Sequence, residues 1–240
     1  MGKNSNLYIV VYAAVMTVIV AISLAFITES LKEKQHANEL AEMQSKILGA
    51  VNITKESVGN LTAYFNENVK GMVLDNDGNE IPDVNPLTVD LQKENRRKRD
   101  DPTRKLPLYI HTGTDGSQQY IVPLWGSGLW DYINGFVAIE SDFNTVYGTA
   151  FDHKAETPGL GAEITDNPAF SKQFIGRTLW KGDEFVSIEV RKGVITNPEH
   201  QVQGVSGATM TSNGVTNMLL SDIGDYLPYF EKLKQKESGQ

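Results

Sequence analysis

Residues 7–27, LYIVVYAAVMTVIVAISLAFI, contain no charged side chain. No other stretch constrains the fold of this chain so strongly. About twenty apolar residues in a row span a bilayer as a helix, which satisfies its own backbone hydrogen bonds where water is absent. A cleaved signal peptide with a Ser23-x-Ala25 exit is the competing reading. Signal-peptide cores run to only about 7–15 residues, so the length favours an uncleaved anchor. Lys3 precedes the run and Lys32 and Lys34 follow it, so the positive-inside count does not orient it. The expected organisation is a short tail over 1–6, a span over 7–28, a helical juxtamembrane segment over 29–68 and a soluble domain over 69–240.

The 240 residues are 40% hydrophobic, enough for a genuine core in one or two domains. The net charge of −8 disfavours nucleic acid as a partner. The basic run 93–99 contains Glu94 and is followed by Asp100 and Asp101, which reads as a solvated loop. Cysteine is absent, which excludes disulfides, thiol catalysis, iron–sulfur ligation and lipoprotein attachment. His36, His111, His153 and His200 lack metal-ligand spacing, and no metal is expected.

Behind the apolar run, Leu40, Met43 and Ile47 share a helical face. A second helix is expected from Thr54 as N-cap, with Val58, Leu61 and Phe65 on one stripe. Asp75-Asn76-Asp77-Gly78 marks a turn, and residues 80–105 read as a long loop. Residues 108–111 and 119–125 read as strands joined by the hairpin signal Thr114-Asp115-Gly116-Ser117. Further strands are expected over 132–140, 145–151 and 184–191. A short helix opens with Pro168 at its first position and turns Phe170 and Phe174 inward. A last helix is expected from Ser212 or Asn213, with Val215, Met218, Leu219 and Asp222 at helical spacing. Strands and helices mix without strict alternation, so the class is α+β: one transmembrane helix followed by one mixed α/β domain.

Two loops could hold a ligand. In GVSGATMTSNGV, residues 204–215, Ser206, Thr209, Thr211 and Ser212 offer hydroxyls, and Gly207 and Ala208 leave the backbone open. The helix that follows aims its free N–H groups and positive dipole at this loop, as in a phosphate site. Hydroxyl residues are also ordinary caps and turn formers. In ETPGLG, residues 156–161, two glycines around Leu160 expose main chain on which a flat ring could lie. A plain turn accounts for the same residues. Trp130, in GSGLW, is by residue type more often core than a ligand platform.

Behind a single anchor, GSGLWDYINGFVAIESD, DHKAETPGLGAEI and SGATMTS follow in order. The chain thereby resembles the C subunit of the sodium-translocating NADH:quinone reductase over nearly its whole length. The G subunit of the Rnf electron-transfer complex shares ETPGLG and SGAT; the GLW stretch and the spacing favour the sodium-pump family. The resemblance implies that Thr209 carries FMN through a phosphoester bond, installed from FAD by a separate flavin transferase. It implies further cofactor contacts from Ser206, Gly207, Ala208, Thr211, Ser212, Glu156, Thr157, Gly159, Leu160, Gly161 and Trp130. The implied role is an electron relay in a membrane complex coupling NADH oxidation by quinone to sodium export, with no complete active site on this chain. The implied partners are the other membrane and peripheral subunits. The implied setting is the bacterial inner membrane, crossed once, with the domain in the periplasm. One position departs from the family pattern D-x-x-S-G-A-T: Gln203 stands where the aspartate is usual. A reading of another class is a non-redox, membrane-anchored assembly module with Thr209 unmodified.

Overall fold

The computed structural model describes residues 6–238. Lys3 and most of the tail expected over 1–6 lie outside them. The chain divides into two compact units, one ending at Glu42 and one starting at Met43. Helix α1, Asn6–Ala50, is 45 residues long and contains the apolar run, whose mean hydropathy is 2.6 with none of that window buried. It is long and apolar enough to cross a membrane. Leu7, Val10 and Phe26 are 62%, 64% and 74% exposed.

In the second unit the chain folds as a sheet covered on both faces. Five strands form an antiparallel meander in the order of the chain: β1 (Val69–Leu74), β2 (Leu106–Thr112), β3 (Gln118–Ser127), β4 (Tyr132–Glu140) and β5 (Val146–His153). Successive side chains point to opposite faces. Leu108, Tyr120, Val122, Leu124, Val137 and Ile139 join one core; Tyr109, Ile121, Phe136 and Ala138 join the other. With both faces buried, the strands read as continuous apolar runs rather than alternating ones.

The second core is closed by Ile47, Leu48 and Ala50 from the end of α1 and by Phe65. Gly148 admits this contact, because a Cβ there would sit 2.5 Å from the Ala50 carbonyl. The single helix expected from Thr54 is two. Helix α2, Lys55–Val58, ends at Gly59, whose φ of +73° an L-residue adopts at a cost. Helix α3, Leu61–Asn68, restarts on Asn60, whose side chain accepts from the Ala63 N–H at 3.1 Å.

Residues 80–105 are more ordered than a loop. A 3-10 turn at Pro86–Thr88 and helix α4, Leu91–Arg96, are capped by Asn85 and Asp90. The basic run begins in helix α4 rather than in a loop, although Lys93, Arg96, Lys98 and Arg99 are exposed as expected. Glu94 is buried and accepts from the Lys105 N–H at 3.1 Å, and Arg99 reaches across to Asp222 at 3.0 Å and to Asp225.

The hairpin between β2 and β3 forms as expected, with Gly116 at φ +83° and the Gly113 N–H donating to the Ser117 carbonyl. Beyond β5 come α5 (Glu163–Asp166) and α6 (Pro168–Lys172), which turn Ile164, Phe170 and the following Phe174 into the first core. The strand expected over 184–191 splits at Ser187, a buried residue at φ +59°. Strand β6 (Trp180–Lys181) pairs antiparallel with β7 (Glu184–Phe185), and β8 (Glu189–Arg191) pairs parallel with β9 (Gln201–Gln203).

Helix α7, Thr209–Asp225, starts three residues before Ser212, and α8, Leu227–Ser238, follows it. Ala208 at the cap position offers no side-chain acceptor, so the sequence carries no start signal there. Ser212 looks like a cap but accepts from the Val205 N–H at 3.3 Å. Helix α7 lies tight against β3: a Cβ on Gly214 would stand 2.2 Å from the Ser127 carbonyl oxygen. Gly214→Ala therefore forces helix and strand apart. It is expected to cost about 1–3 kcal/mol in urea unfolding of the full chain in detergent; a loss below about 0.5 kcal/mol, the scatter of surface substitutions, would show that the seam yields freely.

The far end of α7 is held by charge. Asp222 accepts from the Trp125 N–H at 2.7 Å and pairs with Arg99, while Arg104, 3% exposed, pairs with Asp225 at 2.7 Å. Burial pushes the Asp222 carboxyl up to about 6, against the opposing pull of Trp125 N–H and Arg99. An acid raised on folding holds its proton more tightly when folded, so it favours folding at low pH and loses that contribution as pH rises toward 6. Between about pH 4 and 6.5 the parent chain should lose roughly 2–3 kcal/mol relative to Asp222→Asn. Urea unfolding across this range checks it; a pH-independent difference would mean that Asp222 is ionised throughout.

Candidate functional site

Three loops meet at the start of α7. The first joins β3 to β4 and carries Gly128, Leu129 and Trp130. The second runs from His153 through ETPGLG into α5. The third, residues 204–208, leads into α7.

At their centre is Glu156, 5% exposed. Its Oε1 accepts from the Leu129 N–H at 2.8 Å and the Trp130 N–H at 3.0 Å. Its Oε2 accepts from the Thr211 hydroxyl at 2.5 Å. The Glu156 N–H in turn donates to His153 Nδ1 at 3.2 Å. Two glycines make room: a Cβ on Gly128 would lie 2.4 Å from Oε1, and one on Gly161 would lie 2.1 Å from Oε2. At the exposed rim, Trp130 Nε1 donates to Thr157 Oγ1 at 3.2 Å.

The four hydroxyls of the 204–215 segment divide by burial. Ser206 and Thr209 are exposed; Thr211 and Ser212 are buried at 1% and 2% and bonded within the protein. Thr209 is the first residue of a 17-residue helix whose cap position supplies no side chain to the free N–H groups. That leaves its hydroxyl beside the positive end of the helix dipole, where a phosphate is favoured. Gly207 sits at φ +77°, and a Cβ there would meet Leu160 Cδ2 at 2.7 Å, so Leu160 lies against the loop that leads to Thr209.

The surroundings suit a planar ring. Leu129, Trp130, Leu160 and Met210 are 54%, 68%, 42% and 59% exposed. Trp130, a residue type more often found in the core, stands exposed here, where the contact implied by the resemblance needs it. The Leu129 N–H is tied to Glu156 and the Asp131 carbonyl to the Gly128 N–H, and the indole between them is left outside. Two clefts flank the loops. One, about 470 Å³, is lined by Arg96, Trp125, Gly128, Trp130 and Tyr132; the other, about 330 Å³, by Gly159, Phe170, Gln203, Val205 and Ser206. Both fall in the size range of small-molecule sites. An exposed hydroxyl on an uncapped helix start, glycine backbone beside it and apolar side chains around it fit a ring tethered through a phosphate.

Of the residues expected in the site, Ser206, Gly207, Thr209, Thr157, Gly159, Leu160 and Trp130 reach its surface. Ala208, Gly161, Thr211, Ser212 and Glu156 lie beneath it. Gln203 is exposed at the end of β9, its N–H donating to Gln173 Oε1 at 2.9 Å. His111 and His200 are buried and bonded to Gln119 and the Thr178 carbonyl, away from these loops. Residue types alone give no sign that Gly128 and Gly161 are cut to fit one carboxylate. Gly161→Ala should thus cost more than Gly159→Ala, which meets open space and pays only for φ +74°. We expect about 2–4 kcal/mol against about 1–2 kcal/mol in urea unfolding; the reverse order would refute the cradle.

The FMN-binding domain family matches residues 128–221. The chain is similar to the C subunit of the Na(+)-translocating NADH-quinone reductase of Vibrio alginolyticus, 31% identical over 243 aligned residues covering 92% of this chain and 93% of that protein. The crystal structure of the corresponding protein from Parabacteroides distasonis superimposes with a TM-score of 0.75 at 32% identity, covering 83% of this chain and 96% of the other. That of Shewanella oneidensis NqrC gives 0.72 at 28% identity, covering 83% and 99%.

Proposed function

Because the chain belongs to the family of Na(+)-translocating NADH-quinone reductase C subunits, we propose that it is the FMN-carrying member of such a complex, with FMN bonded through its phosphate to Thr209. The observation that carries this reading is the placement of Thr209, exposed at the uncapped start of α7 with Leu160 beside the preceding loop. The other hydroxyls do not compete: Thr211 and Ser212 are buried, and Ser206 lies outside the helix.

FMN, when bound, supplies one- and two-electron chemistry at its ring. The chain contributes location. A covalent tether removes the dissociation equilibrium and keeps the ring at high effective concentration beside its pocket. The first-turn N–H groups of α7 favour the phosphate, and Trp130, Leu160 and Thr157 bound the space for the ring. No nucleophile–base pair is needed on this chain, since a flavin transferase would form the bond. The role is an electron relay between redox centres of neighbouring subunits, in a complex whose output is sodium export. We read residues 7–28 as a single inner-membrane span, 29–68 as a juxtamembrane segment whose part from Met43 onward packs into the domain, and 69–240 as the rest of that domain, in the periplasm.

The test is the mass of the full chain made together with its flavin transferase. The parent should gain about one FMN residue and fluoresce under ultraviolet light in a denaturing gel; Thr209→Ala should do neither. A parent that stays colourless would favour the non-redox assembly module. A gain that survives Thr209→Ala would place the bond elsewhere.

A further inference from the structure

The geometry points to Glu156 as a positioning residue that sets where Trp130 stands relative to Thr209. This goes beyond the flavin reading and rests on it in one respect, that the ring tethered at Thr209 is what Trp130 meets. Both carboxylate oxygens are engaged, one by the Leu129 and Trp130 N–H groups and the other by the Thr211 hydroxyl two residues past Thr209. All three partners are groups of this chain. Glu156 is 5% exposed, so it acts beneath the surface where a cofactor would lie.

The two ends of this tie belong to segments remote in sequence. One is the turn from which the exposed indole projects; the other is the first turn of a long helix that carries the attachment hydroxyl. The rim bond from Trp130 Nε1 to Thr157 Oγ1 holds the indole to the ETPGLG loop but not to α7. The buried carboxylate is therefore the direct polar tie between the Trp130 loop and the start of α7 among the described hydrogen bonds. Gly128 and Gly161 press close on both of its oxygens, which leaves it little room to move. Removing the carboxylate strands two backbone N–H groups, which are costly to leave buried without a partner. The Trp130 loop would then reorganise toward water while Thr209 stays on its helix.

The experiment uses the full chain in detergent, made with the flavin transferase. The chain has no cysteine, so nitroxides on Leu129→Cys and Met210→Cys, both at exposed positions, report the separation of the two segments without background. The parent should give a narrow distance distribution by pulsed electron paramagnetic resonance. Glu156→Ala should broaden it, and the flavin fluorescence of the loaded fraction, without nitroxides, should rise severalfold as the ring loses the quenching indole. Glu156→Gln keeps an oxygen for the two N–H groups and an amide facing Thr211, so it should restore both signals. If Glu156→Ala does not fold, Thr211→Val cuts the same tie from the helix side and should broaden the distribution by itself. A Glu156→Ala chain with the parent's distances and quenching would overturn the proposal, as would a Glu156→Gln chain as disturbed as the alanine variant. A parent without flavin on Thr209 would sink the functional reading instead, and the distance measurement would still decide the tie.

Discussion

A buried carboxylate that accepts three hydrogen bonds from two distant segments organises this site. Burying such a group without partners is costly, and with partners it becomes a strong local constraint. Glu156 meets that condition with two backbone N–H groups and one hydroxyl. The glycines at 128 and 161 follow from it, since neither can carry a Cβ while the carboxylate keeps its place. So does the division of the SGAT region, in which Thr211 turns inward to the carboxylate and Thr209, two residues earlier on the helix, turns outward.

Helix α7 links this site to the core. Its inner face, Val215, Met218, Leu219 and Ile223, packs into the larger hydrophobic cluster. Gly214 lets it approach β3 at the Ser127 carbonyl. Its far end is pinned by Asp222 and Asp225 through Trp125, Arg99 and Arg104. The helix is thus held at both ends and along its length, and the residue at its N-terminus inherits that rigidity. A cofactor tethered there, as proposed above, would benefit, because the core fixes Thr209 even though that residue is exposed.

The sheet supplies the frame. A five-stranded meander brings β3 and β4 side by side, so the turn bearing Trp130 opens at the same end as α7 begins. The end of β5 lies next to β4 through the Ile133–His153 pairing, which delivers the ETPGLG loop to the same edge. Residues 80–105, read from sequence as a long loop, instead include helix α4, reach the opposite end of α7 through Arg99 and Arg104, and line the cleft of about 470 Å³ through Arg96.

Much of this could be read before any coordinates. The apolar run, the strands β2 to β5, the hairpin at Gly116 and the Pro168 helix start each have a local cause: period, turn chemistry or a cap. The errors share another cause. Helix α7 begins without a capping side chain, Ser187 breaks a strand by taking a positive φ inside the core, and Glu94 and Arg99 are drawn out of a charged run by Lys105 and by the distant Asp222. Local sequence thus determined which segments are apolar, extended or turning, because those preferences act between near neighbours. Which hydroxyl faces water, which aromatic stands exposed and which carboxylate is buried were decided only by the tertiary structure, because each depends on a partner that packing brings from elsewhere in the chain.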